Sequence, residues 1–276
     1  MSTPEFYANA RAYDIAFGDR DFVDECNFLE FCLREFGTLA IGNGLSSTPT
    51  SQLPIANLSF LELAAGPARH AREFARRGWR AVALDLSDDM LAYASAGARN
   101  DGVRIETLAA DMTDFALAEP VALAANLMES LTHLTTNDQV VAHFRAVARN
   151  LLPGGIFVIE LAHPDSIWRE SLPNFWTSRE NGAEIDILFG AKDDPYDWIT
   201  QQWTVTTRLN IREEGVPERV VESHNQHRWY QVQELRALID LSGAFSKTWW
   251  FGNMLCPPPP LTNSDESDRM IVVLRK

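Results

Sequence analysis

Two apolar runs, each ending in an acid, constrain this chain more than any other feature. The first is Leu58-Ser-Phe-Leu-Glu-Leu-Ala-Ala-Gly-Pro-Ala-Arg-His70, where a strand-like run carries Glu62 and then enters a turn of small residues. The second is Ala81-Val-Ala-Leu-Asp-Leu-Ser87. Nineteen residues lead from Gly66 to Asp85, close to the roughly 20 between the phosphate turn and the ribose acid of nucleotide-binding strand–helix–strand units. Small residues let backbone approach a ligand closely. An acid at the tip of the neighbouring strand can accept both hydroxyls of a ribose. The pair points to an adenosine-containing ligand.

The same alternation continues downstream. Leu58–Leu63, Arg80–Leu86, Val103–Leu108, Val121–Asn126 and Ile156–Leu161 read as strands. Between them, Ala68–Arg77, Asp88–Asn100 and Asn137–Leu151 read as helices, the second opened by acids and capped by Ser87, the third stopped by Pro153-Gly-Gly155. Strands alternating with helices predict a mostly parallel sheet covered on both faces. Residues 4–36 read as helices, and Gly42–Gln52 as a small, polar linker. After His163 the pattern changes. Trp198–Ile211 and Val216–Tyr230 alternate apolar and polar residues across Glu213-Glu-Gly-Val-Pro217, predicting a long antiparallel hairpin. Residues 231–242 return to a helix, and Phe245–Phe251 and Met270–Arg275 close the chain as strands. Seven of the eight tryptophans, Trp168 among them, lie in this second part. The expected organisation is an amino-terminal helical lid over 1–45, an α/β domain from 55–163 plus 231–276, and a β-rich insertion over 164–230 that covers a substrate.

Composition limits the partners. With 276 residues, 46% of them hydrophobic, the chain can bury a full core. A formal charge of −14 argues against nucleic acid, whose phosphates need clustered Lys and Arg. Cys26, Cys32 and Cys256 are odd in number and lack metal-ligand spacing, so neither a metal site nor a disulfide framework is expected. No signal peptide pattern and no apolar run of the ~20 residues needed for a membrane span is found, so a cytoplasmic protein without membrane partners is expected. The sequence leaves open whether it forms a homodimer.

The Gly-x-Gly-x-x-Gly turn preferred for nicotinamide cofactors is absent. Instead, acids fall at three successive strand ends: Glu62, Asp85 and Asp111. They suit a ligand with an ammonium, a ribose and an adenine amine but no phosphate. Here the residues resemble the class I S-adenosylmethionine-dependent methyltransferases of the small-molecule type. Glu62–His70 is similar to that family's first motif, Leu84-Asp-Leu-Ser87 to the second and Ala110-Asp-Met112 to the third. Asn126–Leu134 resembles the segment after strand four, and Tyr7–Asp14 a lid helix whose tyrosine reaches the cofactor. The resemblance implies a Rossmann-like, seven-stranded methyltransferase sheet with S-adenosyl-L-methionine as cofactor. By the same match Glu62 would sit near the methionine ammonium, acting through the turn and water, with Ala64 and Gly66 lining that part through backbone. Asp85 would hold the ribose, Leu86 and Met112 would sandwich adenine, and Asp111 would accept from its amine. Asn126 and Leu127 would flank the sulfonium. Family members usually carry glycine where this chain has Ala64 and Ala68. Binding is expected to survive that change at negative φ and to weaken where φ must be positive.

Methyl transfer to nitrogen or oxygen requires the acceptor to lose a proton, so a nearby base helps. His133, just past the fourth strand, and His163, just past the fifth, stand where a parallel sheet exposes its cleft. Each has a structural alternative: a helix-start histidine bonded to backbone, and a strand-ending residue before Pro164. Tyr13 either orients a ligand or packs on the core. His224 and His227 are three apart on a strand, hence on opposite faces. The tryptophans either line a cation site or pack sheet against neighbour. The expected reaction is methylation of a small-molecule N or O acceptor, with an amine favoured over oxygen. The alternative is a degenerate sensor or partner subunit that binds the cofactor without transferring a methyl group.

Overall fold

The computed structural model describes residues 5–39, 58–166, 173–263 and 265–276. The Gly42–Gln52 linker and Trp168 lie outside them. Seven strands form the central sheet: β1 Ser59–Leu63, β2 Arg80–Asp85, β3 Glu106–Ala109, β4 Val121–Asn126, β5 Leu151–Ala162, β11 Lys247–Phe251 and β12 Arg269–Arg275. Their order is β11-β12-β5-β4-β1-β2-β3. β12 runs antiparallel to both neighbours, and the four pairings among β1–β5 are parallel. The chain order reverses between β1 and β4, so the carboxyl ends of these strands open a crevice there.

Helices cover both faces. On one side lie α3 (Phe22–Phe36), α4 (Arg69–Arg76) and α5 (Asp88–Asn100); on the other lie α6 (Asn137–Asn150) and α7 (Val232–Ser242). The strands serve both layers by their period of two. Phe60, Ala81, Ala83, Leu123 and Val158 pack toward α3 and α4, while Leu61, Leu63, Val82, Leu84, Ala124 and Phe157 pack toward α6 and α7. The caps follow local chemistry. Ser87 accepts from the Met90 amide at 3.3 Å, with Asp88 and Asp89 in the first turn, where acids complement the helix dipole. Thr136 and Gln139 form a reciprocal capping box on α6. Gly243 takes the left-handed conformation that ends α7.

The second sheet has the order β10-β9-β7-β6, with the short β8 (Tyr196–Asp197) beside β9. β9 (Gln202–Glu213) and β10 (Val216–Arg228) form the long hairpin expected from the alternation. The expected start at Trp198 is corrected: Trp198 sits in the turn before β9 and is 61% exposed. A further hairpin, which the alternation does not predict, pairs β6 (Asn174–Glu180) with β7 (Ala183–Phe189). It turns on Asn181 and Gly182, both at positive φ, the residue pair that a two-residue hairpin loop favours. The expected Val103–Leu108 strand instead covers Glu106–Ala109, and β5 begins directly at Leu151, with Pro153-Gly-Gly155 inside it.

Two short helices, α1 (Glu5–Ala8) and α2 (Ala10–Ala16), bridge the two sheets. Ala12, Ile15 and Ala16 pack against Ile185, Ile187, Leu209 and Ile211. Trp176 on β6 donates from Nε1 to the Ala16 carbonyl at 2.8 Å and sets its ring edge-on to Phe17 at 5.5 Å. These tryptophan contacts are packing contacts. No helix among the described residues is long and apolar enough to cross a membrane.

Candidate functional site

The turn after β1 carries three left-handed residues: Ala64 at φ 50°, Gly66 at 50° and Ala68 at 55°. Glycine adopts this conformation freely, whereas an L side chain there costs about 1–2 kcal/mol. Both alanines therefore meet the condition under which the cofactor turn is expected to weaken. Burial separates them. Ala68 is fully buried, so trimming its methyl also forfeits about 0.8 kcal/mol of buried surface. Ala64 is half-buried, and strain dominates there. Ala64→Gly is expected to raise stability by about 1 kcal/mol, while Ala68→Gly stays near neutral; urea unfolding of the two variants separates these outcomes.

Asp85 closes the turn from the tip of β2. Its carboxylate accepts from the Gly66 amide at 2.7 Å and the Ser87 amide at 2.8 Å. Burial lifts its pKa above the ordinary carboxylate range, against the pull of these two amides. Tyr13 lies against the same turn: a Cβ added to Gly66 would stand 3.6 Å from Tyr13 Cε1. Burial, then Asp85, raises the Tyr13 pKa, so its hydroxyl stays protonated. Leu86, beside Asp85, is 64% exposed, an apolar side chain left uncovered at the cleft.

Asp111 is exposed and uses Oδ1 to accept from the amide and hydroxyl of Thr113 at 2.8 and 2.7 Å. The adjacent Met112 is held from beneath by His143, whose Nδ1 donates to the Met112 carbonyl at 2.8 Å. Asn126 ends β4 at zero exposure. Its Nδ2 reaches Met112 Sδ at 3.4 Å, and its Oδ1 is buried with no hydrogen-bond partner. Leu127, next in the chain, is buried at 4% exposure. An orphaned acceptor, an inward-facing carboxylate and a backbone turn with one glycine fit a ligand bearing hydroxyl and amine donors.

Glu62 lies beneath the turn. It is buried, accepting from His70 Nδ1 at 2.8 Å and from the Ala71 amide at 2.8 Å, so it anchors the start of α4 beneath the turn. It also begins an ionic chain that sequence reasoning missed. His70 Nε2 meets Glu25 at 2.7 Å, and Arg20 joins Glu25 at 2.7 Å to both oxygens of Glu160 at 2.9 Å. Arg269 pairs with Glu160, and the Met128 amide donates to Glu160 at 2.9 Å. With a carboxylate on each nitrogen, His70 must donate twice and is therefore the imidazolium. Burial alone pulls its pKa down, but Glu62 and Glu25 outweigh it and lift it to about 9. A histidine raised from its ordinary ~6.5 contributes stability that is complete below that value and is lost as pH rises through about 9, on the order of 3 kcal/mol in all. Unfolding titrations from pH 6 to 10 should show this loss, and a His70→Gln variant should lack it.

The two candidate bases separate clearly. His163 is buried, with Nδ1 against Asp165 and Nε2 on the Thr262 carbonyl at 2.9 Å. Both nitrogens are engaged in closing the loop after β5. His133 ends a short 3-10 helix, Ser130–His133, and its Nε2 meets the Tyr7 hydroxyl at 3.0 Å. Burial pushes its pKa down to about 4, so it is neutral near pH 7. His227, from β10, stands beside it with ring centroids 4.5 Å apart. His224 on the opposite face is exposed at 58% of its side chain. Phe189 borders His227, and Trp203 borders Phe189.

Residues 60–155 match the family described as methyltransferase domain. Over 110 residues, the chain is 29% identical to dTDP-3-amino-3,4,6-trideoxy-alpha-D-glucopyranose N,N-dimethyltransferase of Streptomyces venezuelae, covering 40% of this chain and 44% of that protein. It is 32% identical over 110 residues to dTDP-4-amino-2,3,4,6-tetradeoxy-D-glucose N,N-dimethyltransferase of Saccharopolyspora spinosa, covering 40% and 42%. The alignments thus span less than half the length of these curated relatives. Among solved structures, Streptomyces venezuelae DesVI superposes with a TM-score of 0.72 at 18% identity, covering 99% of each chain. An S-adenosylmethionine-dependent methyltransferase from Clostridium acetobutylicum gives 0.71 at 15% identity, covering 98% of each. Residues 60–155 of this chain are thus similar to a methyltransferase domain, and the chain as a whole shares its fold with these solved methyltransferase structures.

Proposed function

We propose that this protein binds S-adenosyl-L-methionine at the Ala64–Ala68 turn and Asp85 and methylates the nitrogen of a small-molecule amine. The observation that carries the reading is the placement of the Tyr7–His133 pair after β4, beyond the orphaned Asn126 oxygen at the same sheet edge as Asp85. The names of the two sugar N,N-dimethyltransferase relatives support nitrogen as the acceptor atom. S-adenosylmethionine supplies the electrophilic methyl group. The chain supplies alignment and exclusion of water, the main demands of an in-line displacement. Asp85 accepts the ribose hydroxyls, Asp111 the adenine amine, and Leu86 and Met112 flank the base. Asn126 Oδ1 and Leu127 border the reacting end, and α2 with Tyr13 covers the turn as a lid.

His133 acts here as a hydrogen-bonding group that orients the acceptor. A group titrating at about 4 cannot hold a proton from an alkylammonium ion, which resembles lysine with a pKa near ~10. The acceptor nitrogen therefore enters without its extra proton, and His133 with Tyr7 aligns its lone pair. His163, closed on Asp165 and Thr262, takes no part. The acceptor is a small molecule, and the free cysteines suit a cytoplasmic location.

The strained alanines favour one rival, a protein that holds the cofactor without turnover. Calorimetric titration with S-adenosylmethionine, S-adenosylhomocysteine and NAD, followed by methyl transfer to nucleotide-linked amino sugars and simple amines, tests both. Micromolar binding of the first two with amine methylation supports the enzyme. Binding without transfer to any amine supports the rival, and preference for NAD overturns both.

A further inference from the structure

His227 lies outside the segments that resemble methyltransferase motifs, yet its ring stands beside that of His133. Its hydrogen-bonding state follows from its neighbours. Thr132 Oγ1 lies 2.6 Å from the Glu129 carbonyl and 3.0 Å from His227 Nδ1. A carbonyl only accepts, so the single hydroxyl proton of Thr132 goes to Glu129. Thr132 Oγ1 is then an acceptor toward His227, and His227 Nδ1 carries the proton. In the neutral ring Nε2 is consequently a bare acceptor. It takes no partner among the described residues, and it is not among the side-chain atoms sealed from solvent. Burial, reinforced by His133, holds the ring in that neutral state.

The same 3-10 helix that anchors His227 through Thr132 also carries His133. The two rings meet nearly edge-on, with an interplanar angle of 64°. We infer that His227 Nε2 is a specificity-determining acceptor that reads a hydroxyl next to the nitrogen held at His133, so that the preferred substrate is a vicinal amino alcohol. This rests on the amine reading above. A hydroxyl donating to Nε2 would satisfy a polar position that the Thr132–His227 network leaves open, whereas an acceptor lacking it leaves that position unpaired. A site built around such a bond discriminates strongly against the analogue without the donor.

The test uses the full chain saturated with S-adenosylhomocysteine and two probes, trans-2-aminocyclohexanol and cyclohexylamine. Calorimetry should show the amino alcohol binding at least fivefold more tightly. Long-range proton–nitrogen spectra of labelled histidine should show the His227 Nε2 resonance shifting with the amino alcohol and not with the plain amine. His227→Ala should remove the preference while cyclohexylamine and S-adenosylhomocysteine affinities stay within twofold, and His227→Gln, which retains an acceptor, should restore part of it. Equal affinity of the two amines for the unaltered protein, or an unmoved Nε2 resonance at saturation, would overturn the assignment even where amine binding holds. If neither probe binds, the amine reading falls and takes this inference with it.

Discussion

Glu160→Gln is expected to destabilise the protein by about 3–5 kcal/mol, the cost of removing one partner from a buried ion pair. Glu160 has no exposed surface and gathers Arg20, Arg269 and the Met128 amide. Arg20 is itself largely enclosed, with 14% side-chain exposure, so neutralising Glu160 leaves a guanidinium with only Glu25 to balance it. The chain Glu62–His70–Glu25–Arg20–Glu160–Arg269 alternates in sign and is neutral as a whole; the substitution breaks that balance at its most buried member. Surface pairs offer the contrast. Arg149 and Asp114 lie 3.2 Å apart with 57% and 90% side-chain exposure, and Asp114→Asn should change stability by less than about 1 kcal/mol. Urea unfolding of both variants makes the comparison. A Glu160→Gln loss no larger than the surface control would show that the ionic chain carries no net stability.

Asp85→Ala is expected to weaken S-adenosylmethionine binding by about 100-fold. Hydrogen bonds to a charged group contribute about 1.5–3 kcal/mol each, and a ribose offers two hydroxyls; the loss of about 3 kcal/mol corresponds to two decades in affinity. The carboxylate also holds the Gly66 and Ser87 amides, so the alanine variant loosens the turn as well. Asp85→Asn retains an acceptor oxygen and should fall between the two. Because burial raises the Asp85 pKa, affinity should begin to fall at a higher pH than an ordinary carboxylate would dictate as the solution is acidified. Calorimetry across pH on the three proteins checks both points. Unchanged affinity in the alanine variant would remove Asp85 from the cofactor site.

Local signals located the central sheet because its determinants are local. Buried parallel strands need continuous apolar runs, and β1 and β4 are buried along their whole length. The Ser87 and Thr136 caps mark their helices within a few residues. The β6–β7 hairpin was legible in principle from Asn181-Gly182, but the preceding strand is half exposed, so its apolar pattern is weak. The three-residue spacing of His224 and His227 puts the two on opposite faces of the strand. Nothing in the spacing indicates that β10 would bring His227 beside His133, 94 residues earlier.

By itself the sequence determined the strand–helix alternation, the turn of small residues and the acids that end β1, β2 and the loop after β3, since each depends on neighbours within a few positions. Tertiary structure decided what those groups do. It turned Glu62 inward to His70, engaged both nitrogens of His163, set Ala64 and Ala68 at positive φ and assembled Arg20, Glu25, Glu160 and Arg269 into one ionic chain. A side chain's charge state and free lone pairs depend on partners that only the folded chain brings within ~3 Å.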